Sequence, residues 1–377
     1  MTPKIARFLA ENSPPTPFLV VDLDVIAHNY KRLAKAMPLA SIYYAVKANP
    51  APEIVKLLAK LGSSFDTASI YEIEDCLGLG IAADRISFGN TIKKESDIAR
   101  AFKHGVNLYA FDSQAELDKL AKAAPGARVF CRIFMTGEGA DWPLSRKFGC
   151  DIDMARDLLI KARDMGLDPH GVSFHVGSQQ RDLTQWDIAV GKTKILFTAL
   201  NEKGIELKLI NLGGGFPAKY RTRIPTADAY GEAIMRAMTE HFGNNLPQMI
   251  IEPGRGIAGD AGVIQAEVVL ISTKTYDDNR RWVYLDIGKF GGLPETMGEA
   301  IQYRLKTPHD ASGPKGAVVL AGPTCDEVDV LYDKADYKLP LALKVGDKVQ
   351  IMSTGAYTTT YSSVAFNGIP PLKGYYI

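Results

Sequence analysis

Between residues 41 and 252 the chain repeats one alternation: a short β-rich run, a few loop residues, then a helix-like stretch. The β-rich runs fall at 41–46, 64–67, 85–88, 107–111, 128–134, 171–176, 207–212 and 248–252. Stretches such as Pro52–Leu61, Ile70–Leu79, Gln114–Ala123 and Met154–Met165 lie between them. Eight strand-then-helix units over roughly 230 residues predict a (β/α)8 barrel. A doubly wound open sheet needs a glycine fingerprint after its first strand, and Lys47-Ala48-Asn49-Pro50 is nothing like one.

From about residue 262 the pattern changes. Gly262–Thr275, Arg281–Ile287, Gly316–Ala321 and Lys348–Ser353 read as strands joined by turns such as Asp277-Asp278-Asn279 and Val345-Gly346-Asp347. The expected organisation is an N-terminal leader, 1–20, joining a C-terminal mostly β domain, 261–377, with the barrel at 21–260. No low-complexity linker separates the parts, so a packed interface is expected.

Composition excludes several function classes. With 44 basic and 43 acidic side chains there is no global field to draw nucleic acid or an anionic membrane. The four cysteines, Cys76, Cys131, Cys150 and Cys325, form no CxxC pair, so neither a metal site nor a disulfide framework is suggested. No signal-peptide-like or bilayer-spanning run appears. A cytoplasmic protein without membrane or nucleic-acid partners is expected.

In a (β/α)8 barrel the chemistry sits at the carboxyl ends of the strands. Those ends read Lys47, Asp66, Asn90, Asp112, Arg132, His175, Gly213-Gly214-Gly215 and Glu252. Lys47 closes the apolar run Ile42-Tyr43-Tyr44-Ala45-Val46. It is either a snorkelling or paired strand-end cation, or an amine desolvated enough to attack a carbonyl or an aldehyde cofactor. Three consecutive glycines exceed what a tight turn requires and let backbone N–H groups approach a single phosphate. Glu252, followed by Pro253-Gly254-Arg255, is either half of a structural clasp with Arg255 or the partner of a heteroaromatic nitrogen. His175 is either a satisfied core histidine or a flat surface for a cofactor ring, and Ser178 offers a phosphate ligand. In the second domain, Cys325 and Asp326 read as an inert thiol and a turn-capping acid, or as a proton donor beside a carboxylate for a cationic substrate. Tyr357 is either a core aromatic or a phosphate ligand.

Taken together, Lys47-Ala48-Asn49, His175-Val176-Gly177-Ser178, Gly213-Gly214-Gly215, Glu252-Pro253-Gly254-Arg255, Gly322-Pro323-Thr324-Cys325-Asp326 and Gly355-Ala356-Tyr357-Thr358 resemble one family. It is the alanine-racemase-fold, pyridoxal-phosphate-dependent decarboxylases of basic amino acids, most similar to bacterial ornithine and lysine/ornithine decarboxylases. The resemblance runs from about residue 17 to the end.

It implies that Lys47 holds pyridoxal 5'-phosphate covalently, that His175 stacks on the ring and that Glu252 keeps the ring nitrogen protonated. Gly213, Gly214, Gly215, Ser178, Arg255 and Tyr357 bind the phosphate, and Asp66 and Arg132 lie beside the cofactor. It further implies a homodimer with shared sites, in which Cys325 from the partner protonates the product carbanion and Asp326 grips the distal amine.

The expected reaction is decarboxylation of L-ornithine to putrescine, with L-lysine to cadaverine as a further activity, in polyamine biosynthesis. A short helix at 292–297 is expected to set substrate length, with Glu295 reading the terminal ammonium beside Asp326. Alternatives are a lysine-preferring or diaminopimelate-type decarboxylase, an amino acid racemase, or a non-catalytic cofactor-binding homologue. Asp326 disfavours the diaminopimelate type, which usually carries glutamate there. Ending at Ile377, the chain lacks the C-terminal tail of vertebrate ornithine decarboxylase, so antizyme-type control is not expected.

Overall fold

A computed structural model of the chain describes residues 1–142, 146–311 and 313–377. Eight parallel strands close into a barrel. In chain order they are Ala40–Ala45, Ser64–Thr67, Ile86–Phe88, Leu108–Phe111, Arg128–Arg132, Asp168–Ser173, Leu209–Asn211 and Gln248–Ile251. The last pairs with the first through Met249↔Ala40, Ile250↔Ser41 and Ile251↔Ile42. All eight strands expected from the alternation form. The sixth starts earlier than its apolar run, at Asp168, where it pairs with Arg128 of the fifth, and Gly171 lets it lie close against the seventh. A Cβ on Gly171 would stand 2.2 Å from the Leu209 carbonyl oxygen.

Leu108, Ala110, Phe130, Leu209 and Ile250, from four strands, form one buried cluster with Tyr43 packed against it. The barrel is therefore filled with side chains, and its chemistry is confined to the strand ends. The surrounding helices start where the sequence supplies capping oxygens. Ser69, Ser113, Asp151 and Thr226 each accept the N–H three residues on. Gly62 ends the helix Pro52–Leu61 at φ 100°, a conformation that favours glycine.

The chain divides into two units: Ala27–Pro217 with Ile224–Gly256, which carries the barrel, and Met1–Ile26 with Ala218–Arg223 and Ile257–Ile377. The second unit is built on a nine-stranded sheet. Phe18–Val21 joins it, antiparallel to Gly262–Ser272 and parallel to Lys373–Tyr376. The leader also holds a helix that the breaker-rich sequence conceals, Pro3–Glu11, capped by the Thr2 hydroxyl. Its Ile5 packs with Phe18, Val20, Val263 and Met352. No helix among the described residues is long and apolar enough to cross a membrane. The Cys131 and Cys150 thiols, far apart in sequence, lie 3.6 Å from one another as free cysteines.

Candidate active site

Lys47 lies just past the end of the first strand, in the 3-10 turn Val46–Ala48. The Ala-Asn-Pro sequence that follows builds this turn. Asn49 is buried, its side-chain oxygen accepts the Ala51 N–H at 3.2 Å, and its carbonyl accepts the Tyr44 hydroxyl at 3.0 Å. The Lys47 ammonium stands 3.4 Å from Asp66 Oδ2; the lysine side chain is half exposed and the carboxylate buried. Burial pushes the Asp66 carboxyl up, while Lys47, the Ser87 hydroxyl and Arg132 oppose that rise. Gly89 makes room for this carboxylate, since a Cβ there would overlap Asp66 Oδ1 at 1.9 Å. An amine that reacts at a carbonyl must reach it, and Lys47 combines that access with a fixed counter-ion.

Arg132 is the last residue of the fifth strand. Burial pulls its guanidinium below the ordinary range, opposed by the charges of Glu252, Asp112 and Asp66. Its face covers the Phe148 ring, 5.0 Å from the centroid. Asp112 meanwhile accepts the Gly149 N–H at 2.8 Å, which holds the same loop.

Glu252 follows the eighth strand directly. Burial and the neighbouring Asp66 charge push its carboxyl up to about 7, against Lys47, Asn211 and Arg132. The group is poised to ionise when a cation meets it.

His175 is brought down to about 3 by burial and by the charges of Arg132 and Lys47. It is therefore neutral at working pH. Its Nδ1 accepts the Gly177 N–H at 3.0 Å, which leaves the proton on Nε2 and fixes the ring plane.

The three glycines differ in role. Gly213 and Gly215 take φ values of 68° and 101°, in the left-handed region. A Cβ on Gly214 would come within 2.9 Å of the Glu252 carbonyl and 3.1 Å of His175 Nε2. The N–H groups of Gly214 and Gly215 donate to no acceptor among the described residues. Nearby, the buried Arg255 guanidinium donates to the Ser178 hydroxyl at 3.2 Å. Two open N–H donors, a buried cation and a hydroxyl match the oxygens of one phosphate. The rest of the site matches a pyridine aldehyde: an amine, a neutral ring and a carboxylate able to pair with a protonated nitrogen. These residues fit pyridoxal phosphate.

Tyr357, Cys325, Asp326 and Glu295 belong to the other unit. Tyr357 holds φ 57°, its ring 5.9 Å from that of Tyr361. Cys325 is exposed, its N–H bound to Asn367 at 2.9 Å. Exposed Asp326 caps its own turn by accepting the Val328 N–H at 3.0 Å. Glu295 is buried.

Several contributing residues carried no sequence assignment. Asn211 accepts the Gly213 N–H at 3.0 Å and donates to Glu252 Oε1 at 2.5 Å. An amide two residues before three consecutive glycines is the available signal. Gln180 ties its backbone N–H to the Gly215 carbonyl at 2.9 Å and its side chain to the Val176 carbonyl at 2.7 Å. Asp329, buried, accepts the Lys289 N–H at 2.7 Å and the Thr324 hydroxyl at 2.6 Å, and so supports the turn that carries Cys325. Gly288 and Gly322 give that carboxylate its space, for a Cβ on either would overlap it at 2.1–2.3 Å.

Comparison with known proteins agrees with this geometry. Residues 23–259 match the family model for the pyridoxal-dependent decarboxylase, pyridoxal binding domain. The lysine/ornithine decarboxylase of Selenomonas ruminantium is 37% identical over 94% of this chain and 88% of its own length. The ornithine decarboxylase of Caenorhabditis elegans is 33% identical over 96% and 87%. Among solved structures, the lysine/ornithine decarboxylase of Vibrio vulnificus in complex with cadaverine superposes with a TM-score of 0.88 at 29% identity, covering 99% of this chain and 98% of that one. The chain belongs to the pyridoxal-dependent decarboxylases, with the (β/α)8 barrel and separate mostly β domain of the alanine-racemase-like fold.

Proposed function

We propose that the enzyme decarboxylates L-ornithine to putrescine in polyamine biosynthesis, with L-lysine to cadaverine as its second activity. The carrying observation is the single constellation of Lys47 on Asp66, Glu252 on Asn211 and neutral His175 beside the Gly213–Gly215 cradle. The choice of substrate is supported by relatives named for ornithine or for both lysine and ornithine.

When bound, pyridoxal phosphate supplies an electron sink for the pair left at Cα as carbon dioxide departs. Lys47 would hold the cofactor aldehyde through its amine. Glu252 holds the proton on the ring nitrogen, and Asn211 aims the carboxylate. His175, kept neutral, supplies a flat face without adding a charge that would oppose the protonated ring. Gly213, Gly214, Gly215, Ser178, Arg255 and Tyr357 bind the phosphate. Asp66 and Arg132 set the field around Lys47.

The working form is a homodimer with shared sites. Cys325 from the partner subunit returns a proton to Cα, and Asp326 with Glu295 reads the distal ammonium. The reaction takes place in the cytoplasm and involves neither nucleic acid nor membrane. Product analysis of the holoenzyme with ornithine, lysine and diaminopimelate tests the reading. Putrescine and cadaverine are expected, and carbon dioxide release from none of the three would overturn it.

A further inference from the structure

The segment that carries Glu295 is a 3-10 turn, Pro294–Glu299, with an unusual end. Gly298 and Glu299 both take left-handed backbone, at φ 61° and 58°. For glycine this is free. For a glutamate it is a strained conformation that persists only where its surroundings enforce it. The surroundings are the turn after the strand Val330–Tyr332. The Glu299 carboxylate accepts three consecutive backbone N–H groups, those of Asp333 and Lys334 on Oε1, each at 2.7 Å, and that of Ala335 on Oε2 at 2.6 Å. Successive amides converging on one anion form a nest, and bonds to an ionised acceptor are the strong ones. These amide bonds hold the carboxyl below its ordinary range despite partial burial.

The rest of the segment is pinned in sequence. The Leu293 N–H donates to the Gly288 carbonyl at 3.1 Å, and the Thr296 hydroxyl donates to the Leu293 carbonyl at 2.7 Å. The Ile301 N–H donates to the Glu295 carbonyl at 3.0 Å, and the Tyr332 hydroxyl donates to the Ile301 carbonyl at 2.7 Å. Glu299 supplies a charged acceptor to this set of contacts, and it lies four residues beyond Glu295. A shift of the 333–335 turn or loss of the carboxylate would let the left-handed pair relax and move the backbone that carries Glu295.

We propose that Glu299 is a positioning residue that anchors the Pro294–Glu299 turn to the 333–335 turn and thereby sets which length of basic amino acid the enzyme prefers. The inference rests on the reading of this turn as the element that measures the substrate. Glu299 itself touches no substrate.

The test compares Glu299→Ala and Glu299→Gln with the parent holoenzyme on ornithine and lysine, substrates one methylene apart. One methylene in a fitted pocket is discriminated by about tenfold or more, so the ornithine-to-lysine ratio of kcat/KM is expected to shift by about that factor. The change should sit in KM, with the visible absorbance of the lysine-bound cofactor unaltered. A folded variant with the parental ratio overturns the proposal.

Hydrogen exchange on the parent holoenzyme needs no variant. The Asp333, Lys334 and Ala335 amides are expected to exchange slowly, and exchange at the rate of an open loop also overturns the proposal. Glu295→Gln in parallel separates the two readings. If it leaves the ratio unchanged while Glu299→Ala moves it, the charge reading of Glu295 fails and the positioning by Glu299 stands.

Discussion

The Asn211 amide donates to Glu252 Oε1 at 2.5 Å, so one side chain at the end of the seventh barrel strand orients the carboxylate at the end of the eighth. The same amide accepts the Gly213 N–H, which couples the carboxylate to the first glycine of the cradle. Asn211→Ala removes both bonds. A drop of about 10- to 100-fold in kcat/KM is expected, as for other groups that orient a functional ligand. Steady-state assays with ornithine check this. Asn211→Asp would set two carboxylates against each other to share a proton, and its pH–rate profile should shift on the side governed by Glu252.

Lys47→Ala should abolish the visible absorbance of lysine-bound cofactor and leave activity reduced by about a thousandfold or more. It also removes the cation that opposes the rise of Asp66. Absorbance spectra of the variant mixed with pyridoxal phosphate, together with the assay, read both effects.

Stability of the cofactor-free protein should fall as pH rises from about 4.5 to about 7. Glu252 has an ordinary value of 4.5 and is pushed up to about 7 in the fold. Across that window the folded state therefore holds a proton that the unfolded state has lost, so stability is full below the window and declines through it. Asp66, raised by burial, adds in the same direction. Glu252→Gln should flatten the slope. Urea midpoints at pH 5 and pH 8 for both proteins test the sign.

Gly213→Ala and Gly214→Ala should separate folding from cofactor binding. The first forces a side chain into φ 68° and against the Phe174 carbonyl at 2.1 Å, so about 1 kcal/mol or more of stability is expected to be lost. The second meets Glu252 and His175 and should weaken pyridoxal phosphate binding more than it lowers the melting point. Fluorescence titration with cofactor and thermal denaturation distinguish the two.

Asp329→Asn removes the charge that holds the Thr324 and Lys289 groups at the turn preceding Cys325. Turnover is expected to fall while the absorbance of bound cofactor is retained. Single-turnover measurement of product formation is the readout.

The barrel was legible because eight β-rich runs alternate with helix-like stretches, although strands such as Ser64–Thr67 and Asp168–Ser173 are only partly apolar. The strand-end rule then names Lys47, Asp66, Arg132, His175 and Glu252 from the sequence alone. The helix Pro3–Glu11 was hidden, since only Ile5 in it is fully buried and the proline-rich stretch behind it reads as a breaker. Asn211, Gln180, Glu299 and Asp329 were hidden for another reason. Each acts through a hydrogen bond to a group far away in sequence, the Glu252 carboxylate for Asn211 and backbone groups for the others, and nothing in a local pattern reports such a partner.

Residue types and their order determined the fold class, the cofactor chemistry and the list of reactive groups. Only the tertiary structure decided what state those groups are in. Burial beside Asp66 raises Glu252, the Gly177 N–H fixes the His175 proton, and three distant amides hold Glu299 in left-handed backbone. Protonation and orientation depend on desolvation and on neighbours contributed by separate strands and turns, and those neighbours exist only once the chain has folded.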